Sequence, residues 1–265
     1  GQLGLEPHPS LFIEHLAQVF LEIKRVLKPS GSLWLNLGDT YFGSGGAGGD
    51  YNKGGLKEGQ PKYKQSKTER SNWLQPKQKM LIPARVAIAL QDQGWILRNE
   101  IVWHKINHMP ESCRDRLTRS WESLYFFVKS DKYYFDLNAI RKPLTDSTIQ
   151  RIQRPYKNKQ KFIADNLSNT SAQKYADKLK HDLAVGRTGN FAYSDPLHTK
   201  PNHPNGANPG DVWSLTLEGL KDEHFAAFPQ KLVKRIFECS APKGGLILDP
   251  FAGAGTSLLV AHKMG

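Results

Sequence analysis

Cysteine is nearly absent from this chain. Cys113 and Cys239 are the only two in 265 residues, and no metal-like spacing links them. That excludes a disulfide framework and a thiolate zinc site, and it leaves both as packing residues of a reduced, cytoplasmic protein. The nine histidines show no ligand spacing either, and His198 and His203 read as solvated loop residues. No apolar run approaches the length of a bilayer span, and the opening residues do not resemble a signal peptide. Gly-Lys-Ser/Thr is missing, so a P-loop is excluded.

What is abundant is positive charge, and it is unevenly placed. The formal net charge is +12. Residues 43–81 carry 8 Lys/Arg against 3 Asp/Glu, and residues 137–212 carry 12 against 6. These two stretches hold nearly all of the excess. Both are poor in periodic apolar residues and rich in Gly, Asn, Pro, Ser and Gln. They read as a long mobile loop (43–81, with Tyr51, Tyr63 and Trp73 interleaved) and as an insertion (137–212) on a nearly neutral scaffold. Clustered charge of this kind suits a polyanion, and nucleic acid is the natural one; solvated surface loops are the plainer alternative.

The scaffold alternates helix and strand. Ser10 is placed to cap a helix whose apolar face is Phe12, Leu16, Val19, Phe20, Ile23 and Leu27. Leu33–Leu37 reads as a strand closed by Gly38 and Asp39. A second helix is expected from Pro83 to Gln93, with Gly94 just beyond it. Residues 96–104 and 124–128 read as strands, with Tyr133–Phe135 turning back as a hairpin. A helix carrying Leu232, Val233, Ile236 and Phe237 follows the insertion. This order predicts an α/β sheet with mostly parallel strands. Asp39 stands at a strand's carboxyl end, where such sheets keep ligands, or it caps the next turn. Arg114 and Arg116 suit phosphate, and equally suit ion pairs with Glu111 and Asp115.

The most specific segment is Leu246-Ile-Leu-Asp-Pro-Phe-Ala-Gly-Ala-Gly-Thr-Ser257. An apolar strand ends in an acid, and a glycine loop opens into a helix. Glycines allow close backbone approach, and free N–H groups at the helix start face an anionic group. The loop is Asp-Pro-Phe-x-Gly-x-Gly, which disfavours a nicotinamide dehydrogenase.

Several segments in this order resemble a permuted (beta-class) site-specific DNA methyltransferase. They are Asp249–Thr256, His224-Phe-Ala-Ala-Phe-Pro229, Met109-Pro-Glu-Ser-x-Arg-Asp-Arg116, Leu35–Asp39 and Gly1–Pro7. The resemblance implies a Rossmann-like, S-adenosylmethionine-dependent methyltransferase sheet. It divides the chain into a catalytic half (1–136), a target-recognition insertion (137–212) and a truncated cofactor half (213–265). It implies methyl transfer to an exocyclic amine of a flipped base in double-stranded DNA, with cytosine N4 favoured over adenine N6. A restriction-modification system, with a cognate endonuclease as functional partner, goes with it. The cofactor residues implied are Asp249, Pro250, Phe251, Gly253, Gly255, Thr256, His224, Phe225, Phe228 and Pro229. Lys105, Arg114 and Arg116 are the implied DNA contacts. Trp103 and Trp213 read as core or rim aromatics.

One departure bears on mechanism. The family's catalytic tetrapeptide is Ser/Asp/Asn-Pro-Pro-aromatic, and this sequence contains no Pro-Pro dipeptide. In the family order it precedes Gly1, and the ribose-binding acid follows Gly265. The expectation is an internal fragment, weakly active or inactive by itself. Two rival classes stay open: an RNA methyltransferase, and a nucleic-acid-binding module without catalysis.

Overall fold

The computed structural model describes residues 3–4, 6, 8–42, 74–147, 205–217 and 228–265. The chain falls into two compact units, residues 1–140 with 209–265, and residues 141–208.

The first unit opens with helix α1, Pro9–Val26. Its periodicity predicts a start capped by Ser10; the cap is His8 instead, whose ring nitrogen accepts the Ser10 N–H at 3.2 Å. Proline lacks the N–H that a first turn leaves unpaired, so Pro9 enters the helix and moves the cap upstream. Strand β1 (Ser32–Leu37) follows, then helix α2 (Ile82–Asp92). Helix α2 ends as its sequence predicts: Gly94 is left-handed (φ +78°), and the Gly94 and Trp95 amides donate to Gln91 O and Leu90 O. Lys24 ties the two helices by donating to Gln93 O at 2.7 Å.

Strands β2 (Ile96–Lys105), β3 (Trp121–Val128) and β4 (Val212–Leu215) complete a sheet of order β1-β3-β2-β4. β3 is antiparallel to both β1 and β2, and β2 is parallel to β4. Thus β1, β2 and β4 point one way, but reversed β3 sits between β1 and β2. Two of the three pairings are therefore antiparallel, against the expected mostly parallel sheet. The architecture is mixed α/β in three layers. Leu16, Phe20, Val86 and Leu90 of α1 and α2 pack with Leu35, Tyr125 and Phe127 on one face. On the other face Ile101, Trp103, Leu124, Phe126 and Trp213 meet Leu232, Ile236 and Cys239 of helix α3 (Gln230–Ser240). Helix α4 (Thr256–Met264) packs on α3.

Three local expectations fail. Tyr133–Phe135 is not a hairpin strand. Tyr134 N–H donates to Ser30 O, and the rings of Tyr133 and Phe135 lie 5.7 and 5.4 Å from Phe126. Ring packing on Phe126, already inside a paired strand, holds the segment instead. Residues 246–249 form no ladder among the described residues, and Leu246 and Leu248 are exposed; a strand needs a neighbouring strand to satisfy its backbone. Cys113 is exposed, on the loop after β2, and not the packing residue expected. Cys239 is buried as expected, and burial pushes its thiol up to about 12.

Of the second unit, the described ends are clasped. Lys142 and Ala207 exchange both backbone hydrogen bonds, and Arg141 donates to Gly206 O. Gly206 is left-handed (φ +100°), and a Cβ there would lie 2.1 Å from Lys142 O, so only glycine fits.

Asp39 resolves toward the capping role. Helix α2 has no side-chain cap of its own, and its preceding Leu81 is left-handed (φ +55°). Asp39 Oδ1 accepts the Ile82 N–H at 3.0 Å and the Thr40 N–H at 2.9 Å, with a side chain only 11% exposed. Removing such a cap costs about 1–2 kcal/mol. D39A is therefore expected to lower the unfolding free energy measured in urea by that amount and to speed amide exchange in the first turn of α2. D39N, which keeps an acceptor oxygen, retains most of the stability. Unchanged exchange in D39A would refute the cap.

Candidate cofactor and nucleic-acid site

The glycine loop 249–255 is built mainly by backbone. Asp249 Oδ1 accepts the Phe251 N–H at 3.0 Å, which bends the chain at Pro250. Gly253 (φ +52°) and Gly255 (φ +74°) are both left-handed, and Gly255 is the N-cap of α4 with no side-chain capping bond. The first-turn amides of α4 thus face outward from a positive helix end. A Cβ on Gly255 would meet nothing within 4 Å, and one on Gly253 only Phe251 O at 3.8 Å, so the loop borders open space. Phe251 is half exposed, with its ring 6.4 Å from Phe20 of α1. Pro250 is exposed, whereas Thr256 is buried under the loop. A second carboxylate oxygen on Asp249, an exposed ring and uncapped amides suit a cofactor with an ammonium, a carboxylate and an aromatic base. The residues present fit S-adenosylmethionine.

Phe228 and Pro229 stand at the start of α3. Phe228 packs against the core face that holds Trp103 and Trp213, and Pro229 is the N-cap of α3. Lys263, at the far end of α4, donates to Gln230 at 2.9 Å. Phe228–Pro229 therefore neighbours the last turn of α4, while Asp249–Gly255 precedes its first. At 1.5 Å per residue that helix separates the two by roughly 13 Å. Both flank one helix pair without touching. His224 and Phe225 lie outside the described residues, as do His198, His203, Tyr51, Tyr63, Trp73 and most of the two basic stretches.

A second group of polar side chains gathers at the carboxyl ends of β1 and β2, where β3 begins. Lys105, the last residue of β2, does not stand alone: it pairs with Glu122 and lies 4.7 Å over the Trp103 ring. Glu122 also accepts from Asn36 of β1 at 3.2 Å, so three strands share one carboxylate. Arg116 pairs with Glu111, the ion-pair alternative, and its guanidinium lies 4.2 Å over Tyr41. Asp115 pairs with Lys77 at 2.6 Å, not with an arginine. Arg114 is exposed and has no ion pair among the described residues.

Sequence reasoning missed several members. Arg119 donates to Glu111 at 3.0 Å and to the Asp39 carbonyl. Lys79 sits 5.4 Å over Trp121 and 3.7 Å from Asp39. Asn107 brackets Leu217, accepting its N–H at 2.6 Å and donating to its carbonyl at 3.2 Å. A usable signal existed for Trp121: it starts the Trp121-Ser123-Tyr125-Phe127 alternation. The Arg116–Glu111 pair was one of the alternatives the sequence offered, but nothing in it pairs Glu111 with Arg119, eight positions later. Desolvation works to raise the Glu111 carboxyl, but hydrogen bonds and charge from Arg119 and Arg116 outweigh it. They hold Glu111 below the usual carboxylate range.

Comparison with known proteins identifies the family. A family model described as DNA methylase (N6_N4_Mtase) matches residues 2–265. The chain is 32% identical to the type II methyltransferase M.SfiI of Streptomyces fimbriatus, an alignment covering 100% of this chain and 77% of the relative. It is 30% identical to the type II methyltransferase M.SmaI of Serratia marcescens, covering 100% and 70%. Among solved structures, the cytosine-N4-specific PvuII DNA methyltransferase has a similar fold, with TM-score 0.55 and 13% identity. That match covers 97% of this chain and 64% of the PvuII chain, so this chain spans under two thirds of that structure. By the family match and these relatives, the chain belongs to the N6_N4_Mtase family of DNA methylases.

Proposed function

We propose that this chain belongs to a type II DNA methyltransferase that moves a methyl group from S-adenosylmethionine to an exocyclic amine of a base in duplex DNA. The observation that carries the reading is the Asp249–Thr256 cradle, with two left-handed glycines and an uncapped helix start, in a chain matched to the DNA methylase family from end to end.

An exocyclic amine is a poor nucleophile because its lone pair is delocalised into the ring. The base must leave the stack and be held by stacking and hydrogen bonds before it reacts. When bound, S-adenosylmethionine supplies a methyl group activated by its sulfonium, so neither a metal nor a covalent enzyme intermediate is required. The residues of this chain bind and orient. Asp249 Oδ1 holds the turn, leaving Oδ2 for the cofactor's ammonium. The amides after Gly255 would hold its carboxylate, and Phe251, Gly253, Gly255 and Thr256 would line its methionine part. Phe228 and Pro229, joined by His224 and Phe225 in the family resemblance, are the proposed far wall of the cofactor site. Lys105, Arg114 and Arg116 meet DNA. The groups that receive the amine's hydrogens belong to the Pro-Pro tetrapeptide, which this sequence does not contain.

Cytosine N4 is the favoured acceptor. The support is the Gln2–Pro7 segment, which resembles members carrying the serine form of that tetrapeptide. The 137–212 insertion is the proposed target-recognition region. A cytoplasmic restriction-modification system, with an endonuclease of matching specificity as functional partner, completes the reading.

The full-length protein is expected to transfer tritium from labelled S-adenosylmethionine to duplex DNA, and nuclease digestion should release N4-methylcytosine. Release of N6-methyladenine would move the acceptor to adenine. Label in RNA, or DNA binding without label, would replace the reading by one of its rivals. A charged hydrogen bond contributes about 1.5–3 kcal/mol. D249A should therefore raise the KM for the cofactor about 10-fold to 100-fold with little change in DNA affinity. D249N keeps the turn and isolates the loss of charge. Equal loss of DNA affinity in both would show that Asp249 shapes the whole end of the sheet instead.

A further inference from the structure

On the loop after β2, Glu111 gathers two guanidiniums. Its Oε2 accepts from Arg116 and its Oε1 from Arg119. Tyr41 lies beneath both, 4.2 Å from Arg116 and 6.0 Å from Arg119. Arg119 is fixed further by the Asp39 carbonyl, and Arg116 by its bond to Leu117 O at 3.3 Å. Asp39 is itself held by the Ile82 amide at the start of α2, so the assembly is anchored to regular structure.

The bonds that fix the arginines use few of their donors. Arg116 donates through Nη1, and Arg119 through Nε and Nη1. Among the described residues, Arg116 Nε and the Nη2 groups of both have no partner. The neighbouring Asp115, which would compete for them, pairs with Lys77. Arg116 and Arg119 keep side chains 27% and 43% exposed, while Glu111 is 21% exposed. One carboxylate thus orients two cations and leaves a surplus positive charge and several donors without a partner among the described residues. The open Nε/Nη2 edge of Arg116, beside the open Nη2 of Arg119, suits a tetrahedral oxyanion. Prior fixation removes side-chain entropy that binding would otherwise cost.

We propose that Arg116 and Arg119 form a preset fork for one backbone phosphodiester of the DNA substrate, and that Glu111 is the positioning residue that sets both. This rests on the methyltransferase reading above. It gives Glu111 and Arg119 a function, and it turns the Arg116–Glu111 ion pair from a competitor of DNA binding into its scaffold.

The test uses the full-length protein and a fluorescein-labelled duplex, with affinity measured from 50 to 300 mM KCl. Each phosphate contact contributes about 0.9 to the slope of log affinity against log salt. R119A should lower the slope by about 1. R119K keeps the charge and loses the fork, so affinity should fall several-fold with little change of slope. E111Q is decisive in sign. It removes a negative charge, and long-range attraction alone would tighten DNA binding. The fork requires binding to weaken, by about 3-fold to 10-fold, with the cofactor KM unchanged. Tighter binding by E111Q, or an unchanged slope in R119A, overturns the proposal. So does a rise in cofactor KM with DNA affinity intact, which would assign the fork to the cofactor's carboxylate. If E111Q fails to fold, R119K decides by itself. Failure of the wild-type protein to methylate any DNA sinks the underlying reading; failure of the variants alone sinks only the fork.

Discussion

The rest of the structure depends on the burial of β3 on both faces. From Ser123 to Val128 every residue is buried. Tyr125 and Phe127 face the α1–α2 layer, while Leu124, Phe126 and Val128 face α3. A strand covered on both sides must have neighbours at both edges, because its amides have no water. β1 and β2 supply them, and their pairing with one antiparallel strand makes β1 and β2 parallel to each other. That brings the carboxyl ends of β1 and β2 and the start of β3 to one end of the sheet. Asp39, Lys105, Trp121 and Glu122 meet there for this reason.

That end is electrostatically crowded, and the crowding is organised around carboxylates. Glu122 joins Asn36 and Lys105 across three strands, Glu111 joins two arginines, and Asp39 joins a helix start to Lys79. An exposed ion pair contributes little to stability, generally under about 1 kcal/mol. Such pairs matter more here as orientation. A flexible lysine or arginine beside a polyanion has many arrangements; one already bonded to a carboxylate and resting on an aromatic ring has few. The Lys105–Trp103 and Arg116–Tyr41 contacts do the same work by cation–π attraction.

Much of the scaffold was legible from the sequence, for definite reasons. Helices α1, α2 and α3 carry their apolar faces at helical spacing, and Gly94 stops α2 through a left-handed turn no other residue adopts as easily. The apolar run at 124–128 has the composition of a strand buried on both faces. What was not legible involves partners distant in sequence. Tyr133–Phe135 has strand composition, yet its rings are claimed by Phe126. Leu246–Asp249 has the pattern of a core strand, and no pattern can show whether a neighbour is present to pair with it. Asp39 was equally compatible with a ligand and a cap, because the amide it caps lies 43 positions away.

The same distinction separates the two halves of the candidate site. The cofactor cradle is made of backbone, and its shape follows from residue types that act locally: an aspartate that turns its own chain, and glycines that reach positive φ. Local rules of that kind leave a readable signature, so Asp249, Gly253 and Gly255 stood out at once. The cationic end is made of side chains whose positions depend on tertiary pairing. Arg114 and Arg116 are alike on paper, but one is exposed with no ion pair among the described residues while the other is fixed on Glu111 and Tyr41. A methyl donor has constant chemistry and suits a backbone cradle. The cationic end depends instead on the packing around β3, which no short motif encodes.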